Sequence, residues 1–186
     1  MNTILDLLGA TIIGGIVLML ILNLNIYSGR VKYSSDIDLQ LQGNAKTLAE
    51  ILDSDLRKVG YKHSSGAITY ADSNKFSFYS DIDGNGSVND VTLCTSDPAA
   101  VPATPNPHDR ILYRIVDNDT SKGPSLGLTR LKFTYMKLNG SETTILDSIK
   151  YIKAEIWLES PVKVSYQDSL SYLTSYWEVT VNPRNL

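Results

Sequence analysis

From Leu7 to Leu22 the chain reads LLGATIIGGIVLMLIL, without a charged residue. No other feature limits the fold as much. A core helix of a soluble domain keeps a polar stripe, because one of its faces meets water. This segment has no such stripe. Taken as one helix from Thr3 to Tyr27, it covers about 25 residues and roughly 37 Å at ~1.5 Å per residue. That is enough to cross a hydrocarbon layer of about 30 Å. A secretory signal is the nearest alternative, but signals open on basic residues and close on a small-residue cleavage site. Here the first basic residue is Arg30, and Asn23, Leu24, Asn25, Ile26 and Tyr27 follow the apolar run. The expectation is a retained transmembrane helix over residues 1–29 and a globular domain over 30–186. Arg30 and Lys32 lie on the C-terminal side, which on the positive-inside rule alone would place the domain in the cytoplasm.

Asp6 stands just ahead of the apolar run. A carboxylate there can simply meet the positive end of the helix dipole. It can also demand a partner cation, because an unpaired charge at membrane depth is costly. The N-terminal amine of a neighbouring copy would supply such a cation.

Beyond the membrane segment the periodicity is helical. In IDLQLQGNAKTLAEILDSDLRKVGYK, the residues Leu41, Ala45, Leu48, Ile51, Leu52, Leu56 and Val59 recur at three- and four-residue steps. That pattern predicts an amphipathic helix over about 37–59, with Arg57 and Lys58 in its last turn and Gly60 beyond it. One long rod with the apolar segment and a bend near Ser28–Gly29 are both compatible with it. After Gly60 the period becomes two. Strands are expected at Ala67–Ala71, Lys75–Ser80, Val91–Cys94, Arg110–Val116, Leu128–Leu138, Ile149–Glu159 and Ser175–Val181. Alternation such as Ile152, Ala154, Ile156 and Leu158 against Lys153, Glu155 and Trp157 marks a sheet with one buried face. The segment Ser96–Asp109 holds four prolines and reads as a surface loop. The fold class is therefore α+β, a long N-terminal helix packed on an antiparallel sheet. No internal repeat is present, and composition changes only near residue 30.

Charge and chemistry narrow the function classes. The formal net charge is -3, against the basic surface that nucleic-acid binding needs. The single cysteine, Cys94, cannot form an internal disulfide and reads as a small apolar strand residue. His63 and His108 have no second ligand at zinc spacing. There is no nucleophile elbow and no phosphate-binding glycine loop. Gly84-Asn85-Gly86 is too short for a dinucleotide loop. Asp53 and Asp55 read as a solvated helix face. Tyr166, Tyr172, Tyr176 and Trp177 gather near the C terminus, as packing residues or as a binding patch. An enzyme is not expected.

The segment SDIDGNGSVND is the one metal-like motif. Asp81, Asp83 and Asn85 occupy positions 1, 3 and 5 of a calcium loop, with Gly86 at position 6 and Asn89 at position 9. Position 12 is Thr92 instead of glutamate, and Asp90 is the available substitute. The plainer reading is a tight hairpin between Lys75–Ser80 and Val91–Cys94, since Asp-Gly and Asn-Gly favour turns.

Three stretches, in order, resemble type IV pilins. Thr3-Ile4-Leu5-Asp6 before a long apolar helix is similar to the Thr-Leu-Ile-Glu start of mature pilins. LAEILDSDLRKVGYK is similar to the segment of the PilW-like minor pilins that ends in Asp-Leu-Arg-x-Ala-Gly-Tyr. KFSFYSDIDGNGSVNDVTL, ILYRI and GLTRLKFTYMKLNG resemble the sheet of the same proteins and of the related J-type pseudopilins of type II secretion. The resemblance implies a structural subunit whose apolar helix packs in the centre of a filament. It implies that Asp6, at the fifth position if Asn2 is the mature start, pairs with the amine of a neighbour. The family has Glu where this chain has Asp. Gly14 and Gly15 lie where pilin helices loosen on assembly, in keeping with the low helix propensity of glycine. The implied location is the inner membrane as a single-pass protein with an extracytoplasmic domain, then an extracellular or periplasmic filament of pilin or pseudopilin subunits. The competing expectation is a membrane-anchored binding module or adhesin stabilised by calcium.

Overall fold

In the computed structural model the chain begins with a single α-helix, α1 (Asn2–Leu56). The structure describes residues 2–63, 66–101, 104–123, 126–166 and 169–186. Pro102 and Ala103 of the proline loop lie outside the described residues, as does the Tyr166 side chain. The chain divides into two compact units, Met1–Ile37 and Asp38–Leu186. They are taken in turn.

The first unit is helix alone. Every described residue from Thr3 to Tyr33 is exposed except Gly9, including Ile4, Leu5, Leu8, Ile12, Ile16, Leu20 and Ile26. α1, whose N-terminal part makes up this unit, is the one helix among the described residues that is long and apolar enough to cross a membrane.

The second unit starts inside α1. Leu41, Ala45, Leu48, Ala49, Leu52 and Leu56 are buried along one stripe, and Ile51 is half-buried at its margin. The expected periodicity is thus the packing face. The helix stops at Leu56, three residues short of the expected end, and turns carry the chain through Gly60 to Lys62. The turn brings the Gly60 N–H to the Tyr79 carbonyl at 2.9 Å.

All strands pair antiparallel, but in more than one sheet. The first sheet has the order β1 (Ile68–Ala71), β2 (Lys75–Ser80), β3 (Asn89–Thr95), β4 (Leu112–Val116), β5 (Asp119–Lys122). The second places β7 (Tyr151–Glu159) between β10 (Thr174–Val181) and β6 (Leu128–Met136). A small hairpin of β8 (Val164–Tyr166) and β9 (Ser169–Ser171) stands between β7 and β10 in the chain. The two larger sheets are tied by backbone bonds from Arg110 N–H to the Leu128 carbonyl (2.6 Å) and from Phe133 N–H to the Ser73 carbonyl (2.7 Å). β5, with the sequence Asp-Thr-Ser-Lys, was not expected, because all four of its residues are exposed and show no apolar alternation. β8 and β9 are each too short to show a period.

The core lies between α1 and the inner faces of the sheets. It contains Phe76, Phe78, Val91, Leu93 and Leu112 from the first sheet, and Leu131, Phe133, Ile152, Ala154, Ile156 and Leu158 from the second. Phe76 joins them, with ring centroids 5.3 Å from Phe78, 5.9 Å from Phe133 and 5.5 Å from Tyr135. The Tyr135 hydroxyl donates to the Asp72 carbonyl at 2.7 Å, and burial pushes its phenol pKa up.

Gly127, just before β6, has φ +82°. A Cβ there would sit 2.5 Å from the Glu159 carbonyl oxygen, which is backbone and cannot swing aside. Gly127→Ala is therefore expected to cost at least the ~1–2 kcal/mol of a left-handed L-residue. It should show as a lower denaturation midpoint with an unchanged slope.

Candidate functional sites

Asp6 is the single charged residue between Asn2 and Gly29. It is exposed, and it forms no ion pair or hydrogen bond among the described residues. Its neighbours Leu5 and Leu7 are both about two-thirds exposed. The segment from Thr3 to Ile26 therefore presents an exposed, mostly apolar helix surface with one acid near its start.

The Asp81 motif forms the expected hairpin. β2 and β3 pair in register from Lys75↔Cys94 to Ser80↔Asn89, so residues 81–88 make the connection. Its polar groups bond along the chain. Asn85 N–H donates to Asp83 Oδ1 at 3.2 Å, Asn85 Nδ2 donates to Asp83 Oδ2 at 2.7 Å, and Ser87 N–H donates to Asn85 Oδ1 at 2.7 Å. Gly84 (φ +77°) and Gly86 (φ +92°) supply left-handed turns that other residues resist.

Asp81 differs from its loop neighbours. It is 1% exposed. Its Oδ2 receives the Lys62 ammonium at 2.6 Å and the Gly86 N–H at 3.0 Å. The Lys62 hydrogen bond holds its carboxyl below the usual range against the opposing effect of burial, and Asp81 in turn raises the Lys62 pKa. Its Oδ1 is buried and has no hydrogen-bond partner.

Asn89 and Asp90 engage a residue that sequence reasoning did not single out. Asn89 Nδ2 donates to Asp117 Oδ2 and the Asp90 N–H donates to Asp117 Oδ1, both at 2.9 Å. These donors, the Asn89 amide first, lower the Asp117 pKa. Asp90 is exposed and adjoins Asn89 within β3, so their side chains point to opposite faces of the sheet. Asp90 therefore cannot replace the missing position-12 ligand alongside Asn89. Lys62 also went unnoticed, because nothing in the local pattern predicts an ion pair across the turn. Among the described residues no three His, Cys, Asp or Glu side chains gather where a metal could be held.

The C-terminal aromatic residues whose side chains are described do not share one face. Tyr172 lies edge-on to His108 at 5.6 Å. Tyr176 packs on Trp157 at 5.2 Å, with Arg130 over the other ring at 4.8 Å. The Tyr176 hydroxyl lies 2.8 Å from Glu178 and 3.0 Å from Glu155, and these carboxylates raise its pKa. Trp177 pairs with Ile156, one residue out of phase with Tyr176, and so faces the other side of β10.

The remaining candidates have structural surroundings. Burial raises the Cys94 thiol pKa, which disfavours the nucleophilic thiolate. The His63 ring lies tilted against Tyr79, with centroids 5.0 Å apart. His108 Nδ1 is 2.8 Å from Glu159 Oε2, to which Asn106 Nδ2 also donates at 3.0 Å. Beside them burial raises the Asp109 carboxyl pKa. Asp55 is not on a solvated face as expected. It is 6% exposed and takes Arg114 Nε at 2.7 Å, because Arg114 stands opposite Leu93 on the inner face of the first sheet. Asp53 does face outward, paired with Arg57 at 2.7 Å.

No protein family, curated protein or solved structure matches this chain.

Proposed function

We propose that the chain is a structural subunit of a pilus-like or type II secretion filament, of the minor-pilin or pseudopilin kind. One observation carries the reading. The helix from Ile4 to Ile26 exposes its apolar side chains on all sides and carries one acid, Asp6, that has no partner among the described residues. Such a surface needs lipid or other helices around it, and the acid needs a cation. The sequence resemblance to pilins supplies the arrangement in which both needs are met by neighbouring copies.

The energetics fit a two-stage life. Packing the apolar side chains against other helices out of water would contribute tens of kcal/mol gross at roughly 1.5–3 kcal/mol each. From lipid the gain is far smaller, because acyl chains already solvate them. The helix therefore serves as an anchor by itself, and assembly depends on close packing and on the Asp6 ion pair for register. A protein of this kind works by association, and no reaction is assigned to it.

Asp6→Ala is the test. The variant is expected to reach the membrane fraction at wild-type levels and to drop out of sheared or purified filaments. Asp6→Glu should restore incorporation, since it keeps the charge. Normal incorporation of the alanine variant would reject the ion-pair role. If no filament can be found and the chain is monomeric on the membrane, the tethered binding module is the better description.

A further inference from the structure

We propose that the Asp81–Asn89 hairpin binds a calcium ion through Asp81 Oδ1 and Asn89 Oδ1, with Asp83 and Asn85 completing the oxygen set. The inference is independent of the filament reading. It rests on the two loop oxygens that the fold leaves without partners.

Buried polar atoms are almost always hydrogen-bonded, so each exception needs a reason. Three side-chain atoms are exceptions among the described residues: Asp81 Oδ1, Asn89 Oδ1 and Asp109 Oδ1. Two of the three fall at the first and ninth positions of the same calcium-like loop. The other atoms of those two groups are fixed. Gly86 N–H holds Asp81 Oδ2 from inside the loop, and Asp117 holds the Asn89 amide nitrogen. Each group thus spends one atom on its own positioning and keeps one oxygen in reserve. The register also brings the backbone at the two ends of the loop together, since Asn89 pairs with Ser80, the residue before Asp81.

The donor chemistry selects the ion. All the candidate ligands are carboxylate or amide oxygens, which suit a hard cation and lack the nitrogen or sulfur that zinc prefers. They come from a loop of irregular backbone, a fit for calcium's variable geometry and not for magnesium's strict octahedron. Asp83 and Asn85 are exposed and bonded to each other, so they can turn inward without disturbing the core.

Lys62 sets the affinity. Its ammonium lies 2.6 Å from the same carboxylate and is 44% exposed. Without calcium it balances the buried charge of Asp81. With calcium it stands as a like charge beside the ion. The site is therefore weak by construction and sensitive to the removal of this one residue.

The experiment uses the full chain in detergent, stripped with chelator, and calcium chloride as the probe. Calorimetry is expected to show one saturable site with a Kd of about 10⁻⁴–10⁻³ M, the range of extracellular calcium modules. The melting temperature should rise with calcium as mass action requires. Asp83→Ala should weaken binding about tenfold and shrink the melting shift that calcium produces. Lys62→Met should tighten binding about tenfold by removing the competing cation. Asp81→Asn should abolish it. No saturable heat up to about 10 mM calcium with folded wild-type protein would overturn the proposal, as would affinities for Asp83→Ala and Lys62→Met equal to wild type. An equal melting shift with magnesium would reject the calcium assignment.

Discussion

Phe76→Ala is expected to cost the Asp38–Leu186 unit about 3–5 kcal/mol, a large share of the roughly 5–15 kcal/mol that holds a typical domain together. Phe76 is fully buried, and its ring touches aromatic residues from both larger sheets. Truncation loses the transfer energy of the ring and leaves a cavity at the point where the sheets meet. Backbone relaxation there is limited, because the Phe133 and Arg110 bonds pin the sheets to each other. Phe76→Leu should recover more than half of the loss, since it refills most of the volume. Denaturant unfolding of the full chain in detergent measures both. A cost below about 1 kcal/mol would show that the sheets close over the gap.

Asp55→Ala is expected to cost about 3 kcal/mol, near the lower end for breaking a buried ion pair. The low end applies because Arg114 keeps 31% of its side chain exposed and can draw on water once its partner is gone. Asp55 has only 8%. Most of the loss is the stranded guanidinium on the inner face of β4, not the worth of the pair. The double variant Asp55→Leu with Arg114→Met should therefore be much more stable than Asp55→Ala alone. Equal stability of the two would mean that the pair itself supplies the energy. Asp55 ties α1 to β4 of the first sheet, so the single variant should also lower the unfolding slope if it loosens the helix in the native state, because less surface is then left to expose.

Local pattern carried much of this fold. The stripe Leu41, Ala45, Leu48, Leu52, Leu56 announced the packing face of α1, because a helix repeats its direction every few residues whatever lies opposite. The alternation along β7 announced its buried face for the same reason with period two. What lacked a period was illegible. β5 is polar throughout, and it exists because β4 offers an edge to pair with. The division into separate sheets was also hidden, since alternation says which side of a strand is buried and not which strand lies beside it.

The candidate sites divide along the same line. Asp6 stood out because a charge at the start of an uncharged run needs no partner to be noticed. The Asp81 loop stood out by its turn residues, and the hairpin followed from them. Its electrostatics did not follow. Lys62, Asp117 and the pair Asp55–Arg114 come from distant parts of the chain, and a charge pattern read locally assigns them all to solvent.

The sequence by itself determined the apolar helix, the α+β class, the amphipathic face and the strands with one buried side. These depend on short-range repeats and on the preference of apolar groups to leave water. Only the tertiary structure decided which carboxylates are buried, which cation each one meets and which two loop oxygens go without a partner. Those outcomes depend on desolvation and on contact between residues far apart in the chain, and neither quantity is written in a local stretch of sequence.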